Sequence, residues 1–247
     1  MRPAAMPRPR PVALEVCVDT IEGLRACIGR ADRVELCAAL SVGGLTPGPG
    51  LIAAARDCPV PVHAMIRPVA GGFDYGEDLV AACESEVRSI REAGLAGVVI
   101  GVTRDGALDP AALARLVAAA GPLEVTLHRA VDLLDDAEAA VEIATDLGIS
   151  RILTSGGAAQ AVDGLPRIAA MVRASRDRVE IMAGSGITAE NAWRVLDETG
   201  VHALHASCAG PRPPDARAAS LGFEASAPKV TDPARIDALR AVLKGKA

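Results

Sequence analysis

Aromatic side chains are nearly missing from this sequence: two phenylalanines, one tyrosine and one tryptophan in 247 residues. Three of the four, Phe73, Tyr75 and Phe223, fall in two long loop-like stretches rather than in apolar runs. Lysine is confined to Lys229, Lys244 and Lys246. No candidate strand therefore carries the amine that a Schiff-base aldolase needs. No Ser-His-Asp arrangement and no glycine–serine elbow is evident. No CxxC or Cys-with-HxxxH spacing supports a zinc site. No stretch reaches the roughly 18 consecutive apolar residues of a membrane helix. The N-terminal MRPAAMPRPRP has arginines but no apolar run after them that would serve as a secretory signal. The net charge of −5 disfavours nonspecific nucleic-acid binding. A cytoplasmic protein is expected, with residues 1–11 a disordered Pro/Arg-rich arm and its six cysteines reduced.

What is present is half hydrophobic and long enough to bury a large core. Short Val/Ile/Leu-rich runs recur at Val12–Val18, Val34–Cys37, Val60–Ile66, Gly97–Val102, Glu124–His128, Arg151–Ser155, Val179–Ala183 and His202–Ser207, each followed by a helix-length segment. Strict strand–helix alternation argues for a parallel sheet. Eight such units in about 250 residues favour a single closed (β/α)8 TIM barrel over 12–247. The sequence marks helix starts at Thr46-Pro47, Asp109-Pro110 and Asp232-Pro233, at Asp19–Glu22 as a capping box, at Asp135 or Asp136, and at Thr188. Gly29, Gly94, Gly121, Gly148 and Gly200 mark helix ends. A G-x-G-x-x-A match at Gly184, Gly186 and Ala189 lies in the seventh unit with no acid after the next strand, so a dinucleotide site is rejected.

Strand side chains alternate, so Glu15 and Cys17 share one face of the first strand, and Glu35 and Cys37 one face of the second. The same parity gives His63, Met65 and Arg67 on the third, Thr126 and His128 on the fifth, and His205 and Ser207 on the eighth. Two readings stand for the acids: proton transfer by Glu15, Glu35 and His128, or an internal ion network with Arg67 and Arg129. Two stand for the thiols: small apolar core residues, or, with histidine or Met65, a soft site of the kind that suits Cu(I). The turns Ser155-Gly156-Gly157 and Ser185-Gly186 look like anion cradles or simply tight turns. If the protein is an enzyme, Arg67, Arg129, Asp132, Ser155, Gly156, Ser185, Gly186, His205 and Ser207 would hold a small anionic, possibly phosphorylated, metabolite. The long loops after the third and eighth strands, which hold three of the four aromatics, suggest a lid over the barrel mouth, loop anchors or a subunit contact.

The motifs LEVC, ADRVELCAAL with GGLTP, HAMIRP followed by GGFDY, VTLHRAVD, RILTSGG, IMAGSGIT, LHASC and KVTD resemble the CutC family of copper homeostasis proteins over nearly the whole chain. Val131 stands where that family commonly has phenylalanine. The resemblance implies a TIM barrel, a cytoplasmic homo-oligomer (a dimer or tetramer), and copper, as Cu(I), at Cys17 and Cys37.

Overall fold

The computed structural model describes residues 11–225 and 227–245. All but the last residue of the expected N-terminal arm lie outside this range. Eight parallel strands close a barrel in chain order: Ala13–Val18, Arg33–Leu36, Val62–Met65, Gly97–Ile100, Glu124–Leu127, Arg151–Thr154, Glu180–Gly184 and Ala203–Ala206. The eighth pairs with the first, Glu15 opposite His205, and so closes the ring. The eight runs read from hydrophobicity are these strands, shifted by one or two residues at their ends.

The alternation of each strand divides its side chains between two cores. Leu14, Val16, Val18, Val34 and Leu36 face the helices and join the large aliphatic layer that separates sheet from helices. The inward set makes small clusters instead. Leu153, Met182 and Ala203 fill the lower barrel, and Cys37, Met65 and Val99 pack together higher up. Between them the interior is ionic. Burying such groups is costly unless they are paired, and the pairs they make define the site.

Most helix starts follow the local chemistry. Thr20, Asp109, Asp136 and Asp232 each accept a hydrogen bond from the first-turn backbone of the helix they precede. Three expected starts differ. The second helix begins at Pro49, because the Thr46 hydroxyl bonds Glu86 and the Arg67 amide instead of capping. Thr188 does not cap the seventh helix, which begins at Ala192; its amide instead donates to the Asn191 side chain. The first helix is capped by Thr20, while Asp19 turns away to accept the Leu40 amide. All five helix-end glycines adopt positive φ, which only glycine takes cheaply.

The long segment after the eighth strand is partly ordered. Ala209–Pro211 pairs antiparallel with Lys229–Thr231, and a short helix, Ala216–Ser220, lies between them. The loop after the third strand is anchored where the Phe73 carbonyl accepts the Thr103 amide. Both loops sit at the C-terminal face, where the barrel opens. No helix among the described residues is long and apolar enough to cross a membrane.

Candidate metal centre at the barrel mouth

Glu15 is fully buried and both its oxygens are taken. Arg33 Nε donates to Oε2 at 2.5 Å, and His205 Nδ1 lies 2.7 Å from Oε1. Burial alone would raise its pKa, but His205 and Arg33 outweigh that and hold the carboxyl far below its ordinary range. The expected network with Arg67 and Arg129 is not what forms. Arg67 binds backbone carbonyls, and Arg129 pairs with Asp132 at 2.7 Å. The acid's true partner, Arg33, has the same parity as Glu35 and Cys37, and that alternation is the signal by which the sequence marks it.

With Nδ1 committed to Glu15, His205 turns Nε2 toward Glu35, whose Oε2 lies 3.8 Å away. Parallel register places Cys17 directly opposite Glu35. Ligand atoms of Cys17, Glu35 and His205 all fall within 4.8 Å of one another, and all three residues are buried. Burial opposes a charge on His205, but Cys17, Glu35 and Glu15 override it and raise its pKa well above the usual histidine value. Glu35 goes the other way: burial, reinforced by the Glu15 charge, pushes it up despite His205. Cys37 stands outside this trio, its Sγ 3.4 Å from Glu35 Oε2. Burial first and the Glu35 carboxyl second drive its thiol pKa well up. Met65 packs beside Cys37.

The histidines need room that glycines supply. A Cβ at Gly101 would sit 2.2 Å from the His128 ring, and one at Gly97 would sit 2.8 Å from His63. His63 lies at the opposite end of the third strand from the mouth, near Arg151 and Glu124, and burial lowers its pKa to about 4. It belongs to a lower ionic layer in which Arg151 bridges Glu124 and Glu180.

Above the trio opens a cavity of about 530 Å³, lined among others by Cys17, Glu35, Met65, Arg67, His128 and His205. Arg129, Ser185, Gly186 and Ser207 also line it. Asp132, Ser155 and Gly156 form something different from the anion cradle expected of them. Asp132 itself takes the turn's donors: the Ser155 and Gly157 amides at 3.0 Å and the Thr154 hydroxyl at 2.6 Å. The Gly156 amide donates to Thr154 Oγ1. That cradle is filled by a carboxylate of the same chain. At the rim, Ala39, Ser185 and Cys208 hold positive φ. Such strain in non-glycine residues gathers where function constrains a backbone.

The family model described as the CutC family matches residues 12–210. A family protein CutC from Sinorhizobium medicae is 47% identical over 235 residues, covering 94% of this chain and 96% of its own. A family protein CutC from Caulobacter vibrioides is 47% identical over 217 residues, covering 86% and 89%. Among solved structures, a Streptococcus agalactiae protein provisionally assigned as copper homeostasis protein CutC superposes with a TM-score of 0.76 at 30% identity, over 79% of this chain and 98% of that one. Phosphoribosyl anthranilate isomerase from Thermococcus kodakaraensis, at 17% identity and a TM-score of 0.58 over 94% and 99% of the two chains, shares the barrel fold. With a model match across most of its length and relatives this similar, the chain belongs to the CutC family.

Proposed function

We propose that this protein binds copper, as Cu(I), at Cys17 and His205, with Glu35 beside them and Cys37 and Met65 as the next soft donors. The observation that carries this is the pairing behind the histidine. His205 gives Nδ1 to a buried carboxylate and aims Nε2 at the thiol and Glu35. A metal-bound histidine almost always has such a partner on its other nitrogen, which fixes its tautomer and raises its basicity. The donor set fits: thiolate and thioether sulfur suit Cu(I), and imidazole suits copper generally. The copper homeostasis description of the Streptococcus agalactiae relative points to the same ion.

Copper at Nε2 would displace the proton that the raised pKa of His205 keeps there, so uptake releases a proton and weakens in acid. The compartment proposed is the reducing cytoplasm, where all six thiols, which are unpaired in the structure, stay available. The assembly proposed is a homo-oligomer; light scattering that gives the mass of one 25.2 kDa chain would contradict that part.

Competition with a Cu(I) chelator tests the site. The wild type should hold one copper per chain, Cys17→Ser should lose it, and Cys37→Ser should weaken it less. A Cys17→Ser/Cys37→Ser protein that competes as well as the wild type ends the proposal.

A further inference from the structure

Four buried polar side-chain atoms among the described residues have no well-formed hydrogen bond: Glu35 Oε1, Arg67 Nε, the Tyr75 hydroxyl and His128 Nε2. Each such orphan costs about 1–3 kcal/mol, and folded proteins keep few without a reason. These four gather at one end of the barrel. Glu35, Arg67 and His128 line the mouth cavity, and Tyr75 lies against Arg67.

Three of the orphans can donate, and for His128 and Arg67 the structure says why. The Ala130 amide donates into His128 Nδ1 at 3.1 Å. Nδ1 is therefore the lone-pair nitrogen, and in the neutral ring the hydrogen sits on Nε2. Burial, helped by the Arg67 charge, lowers the His128 pKa to about 3, so the ring is neutral near pH 7. Arg67 is 6% exposed. It gives Nη1 to the Val42 and Gly44 carbonyls, at 2.8 and 3.0 Å, and Nη2 to the Gly71 carbonyl at 2.8 Å. Among the described residues no carboxylate pairs with it. A buried guanidinium without a counter-charge is a costly arrangement. Phe73 touches both groups, its ring 4.6 Å from the His128 ring and 5.1 Å from Arg67 Cζ, and so gathers them into one corner. Arg129 offers no equivalent anchor, because Asp132 already neutralises it.

We propose that the barrel mouth binds a small organic oxyanion, a carboxylate or a phosphate ester, whose charge is met by Arg67 and whose entry uncovers the now fully buried His128 Nε2 hydrogen for one of its oxygens to accept. The cavity of about 530 Å³ has the size of a metabolite site and far exceeds what one ion requires. A neutral, buried histidine beside such an oxygen is also placed to polarise a carbonyl. The site stands whether or not copper binds below it.

The test uses the full chain after treatment with a metal chelator, titrated calorimetrically with inorganic phosphate and, separately, with malonate, at ionic strength matched with sodium chloride. One saturable site for at least one of them is expected, and the stronger of the two tells phosphate from carboxylate. His128→Asn keeps an acceptor for the Ala130 amide but loses the Nε2 donor; it should weaken binding about tenfold or more. His128→Gln, which carries a donor near the Nε2 position, should bind closer to the wild type. Arg67→Met should abolish binding. Because Arg67 also braces three loop carbonyls, the Asn/Gln pair decides if that variant fails to fold. The proposal is overturned if neither anion saturates the wild type below about 20 mM, if His128→Asn binds as tightly as the wild type, or if binding appears only after copper is added. Failure of the copper site alone leaves every expected result unchanged.

Discussion

Glu15 connects the ion layer to the site. It fixes Arg33 on one oxygen and orients His205 with the other. Replacing it with glutamine removes the charge that holds His205 in place. Supporting groups of this kind typically contribute 10–100-fold to metal affinity, so Glu15→Gln should lower Cu(I) affinity by about that factor in chelator competition. Unchanged affinity would show that His205 needs no such support. The same substitution leaves Arg33 buried without its counter-ion, and breaking a buried pair costs about 3–5 kcal/mol; urea unfolding reads that loss. Gly101 makes a second residue-level test. A methyl there would press on the His128 ring at 2.2 Å. Overpacking of this sort costs about 1–3 kcal/mol, so Gly101→Ala should lower the urea midpoint, and His128→Ala in the same chain should return part of the loss.

At the scale of elements, caps and turns set where each unit begins. Asp109 accepts the Ala112 amide at 3.0 Å and pairs with Arg104 at 2.7 Å. Asp109→Ala should cost about 1–2 kcal/mol, seen as a lower thermal midpoint. Helix ends were readable because glycine in a left-handed position has a local cause. The start at Thr46 was not, since its choice between cap and tertiary partner depends on residues far away, Glu86 and Arg67, while Thr188 is taken up in a local turn with Asn191 that delays the helix to Ala192. The turn after the sixth strand teaches the same thing. Its glycines signal a nest of amides, but the sequence does not say that Asp132, more than twenty residues earlier, fills it. Burial opposes the Asp132 charge, yet Thr154, the turn amides and Arg129 together depress its pKa. Its contribution to stability is therefore present above the unfolded aspartate value and is lost as pH falls through the lower folded value. Asp132→Asn should flatten that acid limb.

For the molecule as a whole, the barrel was legible because period-2 apolar runs alternating with capped helices allow few topologies. Inward parity correctly placed Glu15, Cys17, Glu35 and His205 in one interior. The grouping within that interior was not legible. Barrel register sets Cys17 opposite Glu35 and Glu15 opposite His205, and register across eight strands depends on closure rather than on any local run. His63 and His128 are held neutral, with pKa values lowered to about 4 and about 3 by burial. The unfolded chain takes up these protons near pH 6.5 and the folded one resists. The stability these two histidines contribute is full above that pH and falls on acidification, by about 1.4 kcal/mol per pH unit for each, while the raised Glu35 and His205 act in the opposite direction. Between about pH 7.5 and 4.5 the stabilising effect of His128 should shrink, so the urea midpoint of wild type should fall relative to that of His128→Asn as pH is lowered.

Whether Cys17 holds copper is read most directly by X-ray absorption at the copper edge of the Cu(I)-loaded protein, with wild type, Cys17→Ser and Cys37→Ser compared. A mixed shell of sulfur and nitrogen or oxygen is expected, lost in Cys17→Ser and retained in Cys37→Ser. A shell of nitrogen and oxygen alone, or one that Cys17→Ser leaves intact, would contradict it.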